Sequence, residues 1–387
     1  MQHYNFALVF VGFQRCCLYL SIVKELSKSY NVAILPQEID KKTSSRINIT
    51  NTSFLELCKD LGADIIYNEK ITADIEILPQ THYSQITINK INANIASQKT
   101  FWLSGVAMGN AQYKYLFGKK IDKILVIDRQ FYDFRVKNFE NEKPEFKNDE
   151  ILEIGIPYKK HPIFPTFGID YLIANPTPFS FCNFQDRLVY LENVLSILEK
   201  IDESDLVALK PHNADERADY IVNNKIYIFL TLNFIIPFHL IIDRFCRFFI
   251  HISALGGVSD FFIQILIAIK YYQVMKRAKN LKELTKWHNL NLELFLPNVK
   301  KGLITGRSNS IWHGLFLKKP TYNCIDATKP YYSDTKMHKY SMKYLNVHGN
   351  YNNLHFDEGL FKRIKEQTRG IDTVSLLKEE LETLLKN

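Results

Sequence analysis

Residues 6–35 read FALVFVGFQRCCLYLSIVKELSKSYNVAIL. Phe6–Val11 is an apolar run of strand length, Gly12-Phe13-Gln14-Arg15 turns, Tyr19–Leu26 has helical spacing, and Val32–Leu35 is a second strand. Strand, helix, strand in that order is a βαβ unit. Its strands lie parallel, because the crossover helix returns the chain to the same end of the sheet. The loops at the carboxyl ends of such strands are where open α/β sheets bind ligands. Outward from this unit the rhythm continues. Ser53–Leu61 reads as a helix, Asp64–Tyr67 as a strand, and Ile121–Ile127 as a buried strand ending at Asp128. The charged, proline-interrupted stretch Phe139–Glu150 reads as an exposed connection.

A second series follows. Ile154-Gly155-Ile156-Pro157 is an apolar step with a turn, and Tyr171–Ala174 is a strand closed by Asn175-Pro176-Thr177-Pro178. Leu188–Leu198 is an amphipathic helix, and Leu206–Leu209 a strand running into Lys210-Pro211-His212. Gly302–Thr305 is a strand opening into Gly306-Arg307-Ser308-Asn309-Ser310, then a helix over Ile311–Leu317 and a strand from Lys319. Thr373–Leu385 is a closing helix. The fold class expected is α/β with two Rossmann-like domains, 1–150 and 151–387, and a hydrophobic helical insertion near 226–272 in the second.

Bulk properties agree with two domains. A chain of 387 residues exceeds the size at which one core keeps growing, about 250–300 residues. At 46% hydrophobic and 23% charged it is globular. A formal charge of +8 suits an anionic partner: a phosphate-bearing donor, an acidic glycan or an anionic membrane surface. A nucleic-acid partner is not expected, since there is no basic tail, zinc-finger spacing or aromatic-studded RNA motif. The cysteines at 16, 17, 58, 182, 246 and 324 form no Cys-x-x-Cys pair and read as reduced thiols. The opening Met-Gln-His-Tyr-Asn lacks a signal peptide's basic start, so a cytoplasmic location is expected, either free or peripheral on the inner membrane face. The sequons at Asn48 and Asn51 then read as chance matches.

Ile226–Ile242 holds no charged residue, and Phe261–Ile269 is again apolar. Three readings stay open: a helical insertion packed inside the protein or its homodimer, a patch lying in the membrane interface, or a true span. Asn233, Pro237 and His239 within the run, and Asp243, Arg244 and Arg247 after it, count against the last.

Two strand-end motifs carry the chemistry. Lys210 and His212 can both donate to a phosphate, with Pro211 fixing the backbone between them. Gly306 permits close approach of backbone, and Ser308 and Ser310 can offer hydroxyls at a helix start. Each motif alone is equally a solvated loop or an ordinary N-cap. Paired, Leu-Lys-Pro-His with the later Thr-Gly-Arg-Ser-Asn-Ser, helix and Lys-Lys-Pro resembles the carboxyl-terminal domain of GT-B glycosyltransferases. It is similar to bacterial enzymes of capsule and lipopolysaccharide assembly that use cytidine-activated donors, the sialyl- and Kdo-type transferases, with CDP-glycerol glycerophosphotransferases as cousins. The resemblance covers about residues 150–335 in motif terms. It implies that Lys210, His212, Gly306, Ser308 and Ser310 hold the donor, and that Ile154-Gly155-Ile156-Pro157 is the crossing between domains. The chain departs from that group in its apolar segment after His212.

No Asp-x-Asp and no His/Asp/Glu group at ligand spacing occurs, so metal-independent chemistry without a cofactor is expected. An inverting transfer needs a base on the acceptor hydroxyl. Asp128, directly after a first-domain strand, is best placed, with Glu38 and Asp40 next. Gly12, Arg15 and Ser104 are expected on the acceptor side. His161, His313 and His338 read as structural. The function implied is transfer of a sialic acid or Kdo-type sugar from a CMP-activated donor to a glycan or glycolipid acceptor. The alternatives are glycerophosphate transfer from CDP-glycerol and a non-catalytic nucleotide-sugar-binding membrane protein.

Overall fold

The computed structural model describes residues 1–10, 16–36, 45–79, 85–104, 114–129, 132–133, 136, 145–157, 161–164, 168–175, 184–211, 238–252, 256–306, 310–317, 319–324 and 372–386. Side-chain alternation sets up the first layer. In β1 (Gln2–Phe10), Phe6, Leu8 and Phe10 enter one core while Ala7 and Val9 enter another. A strand buried on both faces needs cover on both, which the crossover helices of a parallel sheet supply. The sheet also contains β2 (Val32–Pro36), β3 (Asp64–Ile65), β4 (Ile71–Pro79) and β5 (Ile95–Leu103). A small antiparallel hairpin, β6 (Tyr115–Leu116) with β7 (Lys119–Lys120), precedes its last strands, β8 (Lys123–Val126) and β9 (Ile151–Glu153).

The spatial order is β3-β2-β1-β4-β5-β8-β9, and every pairing is parallel. The chain starts in the interior, runs out to β3, returns to β4 beside β1 and runs out the other way. That reversal is a topological switch point, the feature that opens a crevice at the carboxyl ends of such sheets. Helices α1 (Cys16–Leu26), α2 (Ser45–Asp60) and α3 (Gln85–Asn94) lie in the connections.

The second sheet repeats the plan. Its strands are β10 (Tyr171–Ala174), β11 (Val207–Lys210), β12 (Lys279–Asn280), β13 (Gly302–Thr305) and β14 (Thr321–Asn323). The order is β12-β11-β10-β13-β14, all parallel, with its switch point between β10 and β13. Helix α4 (Phe184–Leu198) joins β10 to β11, and α5 (His239–Ile252) and α6 (Gly256–Arg277) fall between β11 and β12. The described part of the hydrophobic segment is therefore a crossover of the sheet. Ile263, Leu266, Ile267, Ile269 and Val274 of α6 share one core with Leu188, Leu191 and Val194 of α4. No described helix is long and apolar enough to cross a membrane. The apolar residues 226–237 lie outside the described residues.

After β12 come α7 (Leu281–Leu284), then α8 (Ser310–Phe316) between β13 and β14, and α9 (Thr373–Leu385). Two details bear on the crossing between the sheets. β9 pairs with β8, so the first sheet runs to Glu153, and Gly155, in a left-handed conformation at φ 61°, turns the chain just beyond it. The final helix, although it follows the second sheet in sequence, packs on α1 and β4 of the first. The Thr373 hydroxyl donates to Ile154 O at 2.7 Å, closing the return onto the crossing itself.

Candidate functional site at the strand ends

At the carboxyl end of the first sheet, Asp128 follows β8 and is 4% exposed. The parallel register sets Val126 against Glu153, so the last residue of β9 stands beside the Asp128 turn. Burial pushes the Glu153 carboxyl up, and the charge of Asp128 pushes it further, to about 7. The Arg129 backbone N–H and guanidinium oppose that shift without cancelling it. The guanidinium is largely engaged elsewhere: its Nε is 3.0 Å from both oxygens of Asp133, and Nη2 is 2.9 Å from Asn148 Oδ1. Glu153 Oε1 is buried without a hydrogen-bond partner among the described residues. Two neighbouring carboxyls, one of them poised near neutrality, are the equipment of proton transfer.

Ser104 directly follows β5, is buried, and donates its backbone N–H to Leu125 O at 2.9 Å. It sits one strand over from Asp128, on the same edge of the sheet. Gly12, Arg15, Glu38 and Asp40 lie outside the described residues.

In the second sheet the switch point is held together by polar contacts. Thr305 Oγ1 donates to Ala174 O at 2.9 Å, tying the ends of β13 and β10, and Tyr190 Oη donates to Asn175 Oδ1 at 3.1 Å. Gly306 is buried directly after Thr305. Lys210 ends β11 and is 7% exposed. Its ammonium donates to His288 O at 2.9 Å and lies 6.0 Å from the Phe295 ring centre. Ser310 opens α8, a helix of seven residues, so the dipole expected to reinforce an anion site is short. The structure thus brings Lys210, Gly306 and Ser310 to the carboxyl edge of one sheet. His212 and Ser308 lie outside the described residues.

A pair not anticipated as such lies beside them. His313 Nε2 is 3.0 Å from Glu293 Oε1, and both side chains are largely buried. Burial pushes Glu293 up, but the His313 charge and hydrogen bond, a backbone N–H and the Lys210 charge hold it below the usual carboxylate range. Glu293 thereby links the β11 end to α8. Glu153 and Glu293 carried no motif in the sequence. The one signal for Glu153 was its place at the end of a short apolar run before the Gly155 turn. Among the described residues no group of His, Cys, Asp and Glu could hold a metal ion.

No protein-family model and no curated protein matches this chain. Among solved structures it is similar to a variant of the wall teichoic acid polymerase TagF, at 12% identity over 100% of this chain and 88% of that chain, with a TM-score of 0.48. It is similar to the UDP-GlcNAc 2-epimerase of Methanocaldococcus jannaschii in complex with UDP-GlcNAc and UDP, at 8% identity over 99% of both chains, with a TM-score of 0.46. It is also similar to a glycosyltransferase from Rickettsia africae, at 11% identity over 100% of both chains, with a TM-score of 0.38. These identities are far below those that carry an activity from one chain to another.

Proposed function

We propose that the protein is a glycosyltransferase that moves a sugar of the sialic acid or Kdo type from a CMP-activated donor to a surface glycan. The observation that carries this reading is the twofold plan of the chain: two parallel sheets, each with an internal switch point. Carboxylates end the first, and a Lys, a Gly and a Ser line the end of the second.

The chemistry divides along the same line. The donor's phosphate is the leaving group: its bond to the sugar breaks and the electron pair stays on the phosphate oxygen. Cations and N–H groups at the second sheet stabilise that charge, Lys210 through its field and His212 and Ser308 by contact. The acceptor hydroxyl bonds to the sugar carbon, and its proton passes to a carboxylate at the end of the first sheet. Asp128 and Glu153 are the carboxyls placed for that proton, and burial with the Asp128 charge holds Glu153 near 7. The cations already in the protein supply the charge that a metal ion supplies in other transferases.

A thermal-shift comparison of CMP, CDP, UDP and GDP tests the donor, since a ligand that binds the folded state raises the midpoint by mass action. CMP and CDP should stabilise and UDP and GDP should not. His212→Ala and Ser308→Ala should each weaken the cytidine nucleotides by about 1–3 kcal/mol. No shift with any of the four nucleotides overturns the reading. Turnover of CDP-glycerol without turnover of CMP-sugars replaces sugar transfer by glycerophosphate transfer.

A further inference from the structure

Helix α5 has two unlike apolar faces. Ile242 and Cys246 turn into the core shared with α4 and α6. Ile241 and Phe245 stand 68% and 53% exposed, and Phe238, just before the helix, is 56% exposed. Positions 238, 241 and 245 are spaced as i, i+3 and i+7, so the three side chains form one stripe along one side. Elsewhere among the described residues exposed large apolar side chains stand singly, apart from Tyr115 and Phe117 of the small hairpin.

The charges around the stripe suit an anionic partner. Asp243, the one acid of α5, is neutralised within the protein by Arg247 at 3.0 Å and Lys270 at 3.3 Å. Arg247 is further engaged by Glu192, and Arg277 by the backbone oxygens of Asp202 and Asp205. Arg244 is exposed on the helix beside the stripe, and the chain as a whole carries +8. A second copy of the chain is a poor fit. Three partly exposed side chains offer on the order of 300 Å², against the roughly 1,200 Å² that a stable interface buries in total.

We infer that the outer face of α5 docks the protein on an anionic lipid bilayer, with Phe238, Ile241 and Phe245 in the headgroup–acyl boundary and Arg244 at the lipid phosphates. The helix is already folded and anchored through α6, so docking orders no chain. A short amphipathic helix held this way lies in the interface and does not cross it. The surface is independent of the strand-end chemistry and would bring the site to a lipid-linked acceptor.

The test is co-sedimentation of the full chain with phosphatidylcholine vesicles, with and without about one third phosphatidylglycerol. The wild type should partition onto both, more strongly onto the anionic ones. Ile241→Asp with Phe245→Asp should lower partition at least about tenfold on both. Arg244→Glu should lower it about fivefold on anionic vesicles alone. Phe245 also meets the ring of Phe262 at 6.1 Å, so Ile241→Asp alone, which leaves that contact in place and should keep the wild-type melting temperature, makes loss of fold separable. A wild type that stays in the supernatant with both vesicles overturns the inference, as does a double variant that binds like the wild type. A dimer that the double variant converts to monomer, with no lipid partition in either, assigns the face to a second copy instead.

Discussion

Burial, with the charge of Asp128 beside it, makes Glu153 keep its proton to about pH 7. If Glu153 takes the acceptor's proton, kcat/KM rises as pH climbs through about 7 and levels off above it. Glu153→Gln should remove that limb and lower the rate on the order of 10²–10⁴-fold while sparing donor affinity, read from steady-state rates across pH. Stability runs the other way. A carboxyl whose folded pKa lies above its unfolded value holds an extra proton when folded, so stability falls as pH rises from about 4.5 to about 7. Well above that window Glu153→Gln should be more stable than the wild type by about 1–2 kcal/mol, the full shift being reduced by solvent screening at a half-buried group. Below it the two should melt together.

Glu293 has the opposite sign. Its folded pKa is depressed, so its stabilisation is present above the usual carboxylate range and is lost as pH falls through the folded value. Glu293→Gln takes away the carboxylate that pairs with His313 and faces Lys210, and should cost about 1–3 kcal/mol at neutral pH. Urea denaturation at neutral and acid pH checks this: the gap between variant and wild type should narrow in acid. From sequence, His313 read as a structural histidine. Its partner was not legible, because Glu293 lies in a short 3₁₀ turn whose spacing signals no helix face.

At the scale of elements, α8 shows how tightly a crossover helix can lie against the second sheet. A Cβ on Gly314 would stand 2.4 Å from Thr321 Oγ1 and 3.0 Å from Leu303 Cδ2, so the helix can lie this close to β13 and β14 only with glycine there. Gly314→Ala should cost about 1–3 kcal/mol through overpacking, against the gain its helix propensity would otherwise bring. Chemical denaturation reads the difference, and Gly118→Ala at a left-handed turn with open space around it should cost only its backbone strain, about 1 kcal/mol. Most elements announced themselves through period and punctuation, as at Phe6–Val11, Tyr171–Ala174 and Gly302–Thr305. β4, the strand at the first switch point, did not. It carries Asp74 and Glu76 at interior positions, and a buried acid reads as a surface residue until its partners are known. Asn5 Nδ2 and Gln98 Nε2 donate to Asp74, while Lys119 Nζ stands 2.7 Å from Glu76. The apolar segment is the opposite case: its composition fitted packing inside the protein as well as a membrane patch, and its described part α6 packs inside. α6 looks like an addition by composition, yet its residues complete the core over β11 because a parallel crossover must be apolar on its inner face.

For the whole molecule, the strand-end position of Lys210, Gly306 and Asp128 was legible because each follows an apolar run directly, and that of Ser310 because it opens the next helix. The contacts that hold the crossing between the sheets were not, since they join residues distant in the chain. His161 Nε2 is 3.3 Å from Asp372 Oδ1, while Ser21 Oγ and Lys24 Nζ donate to the backbone oxygens of His161 and Pro162. Asp372 also caps α9, accepting from the N–H groups of Val374 and Ser375. The returning helix then buries Val374, Leu377 and Leu381 in the core that also holds Phe6, Leu8 and Phe164, while Leu385 at its tip is 61% exposed. An ion pair between Lys123 and Glu380 joins it to β8. This helix therefore clasps the first sheet to the segment leading into the second, and its two faces should respond differently. Leu377→Ala and Leu381→Ala should each cost about 2–5 kcal/mol by leaving cavities in a core shared by residues from both parts of the chain. Leu385→Ala should stay within about 0.5 kcal/mol of the wild type. Thr373→Val removes the donor to Ile154 O and should cost about 1–2 kcal/mol, because a buried carbonyl loses its partner. Urea melts of the four variants decide the matter: a clasp requires large losses at 377 and 381 with little change at 385, and equal small effects at all four positions would mean that the first sheet stands without its returning helix.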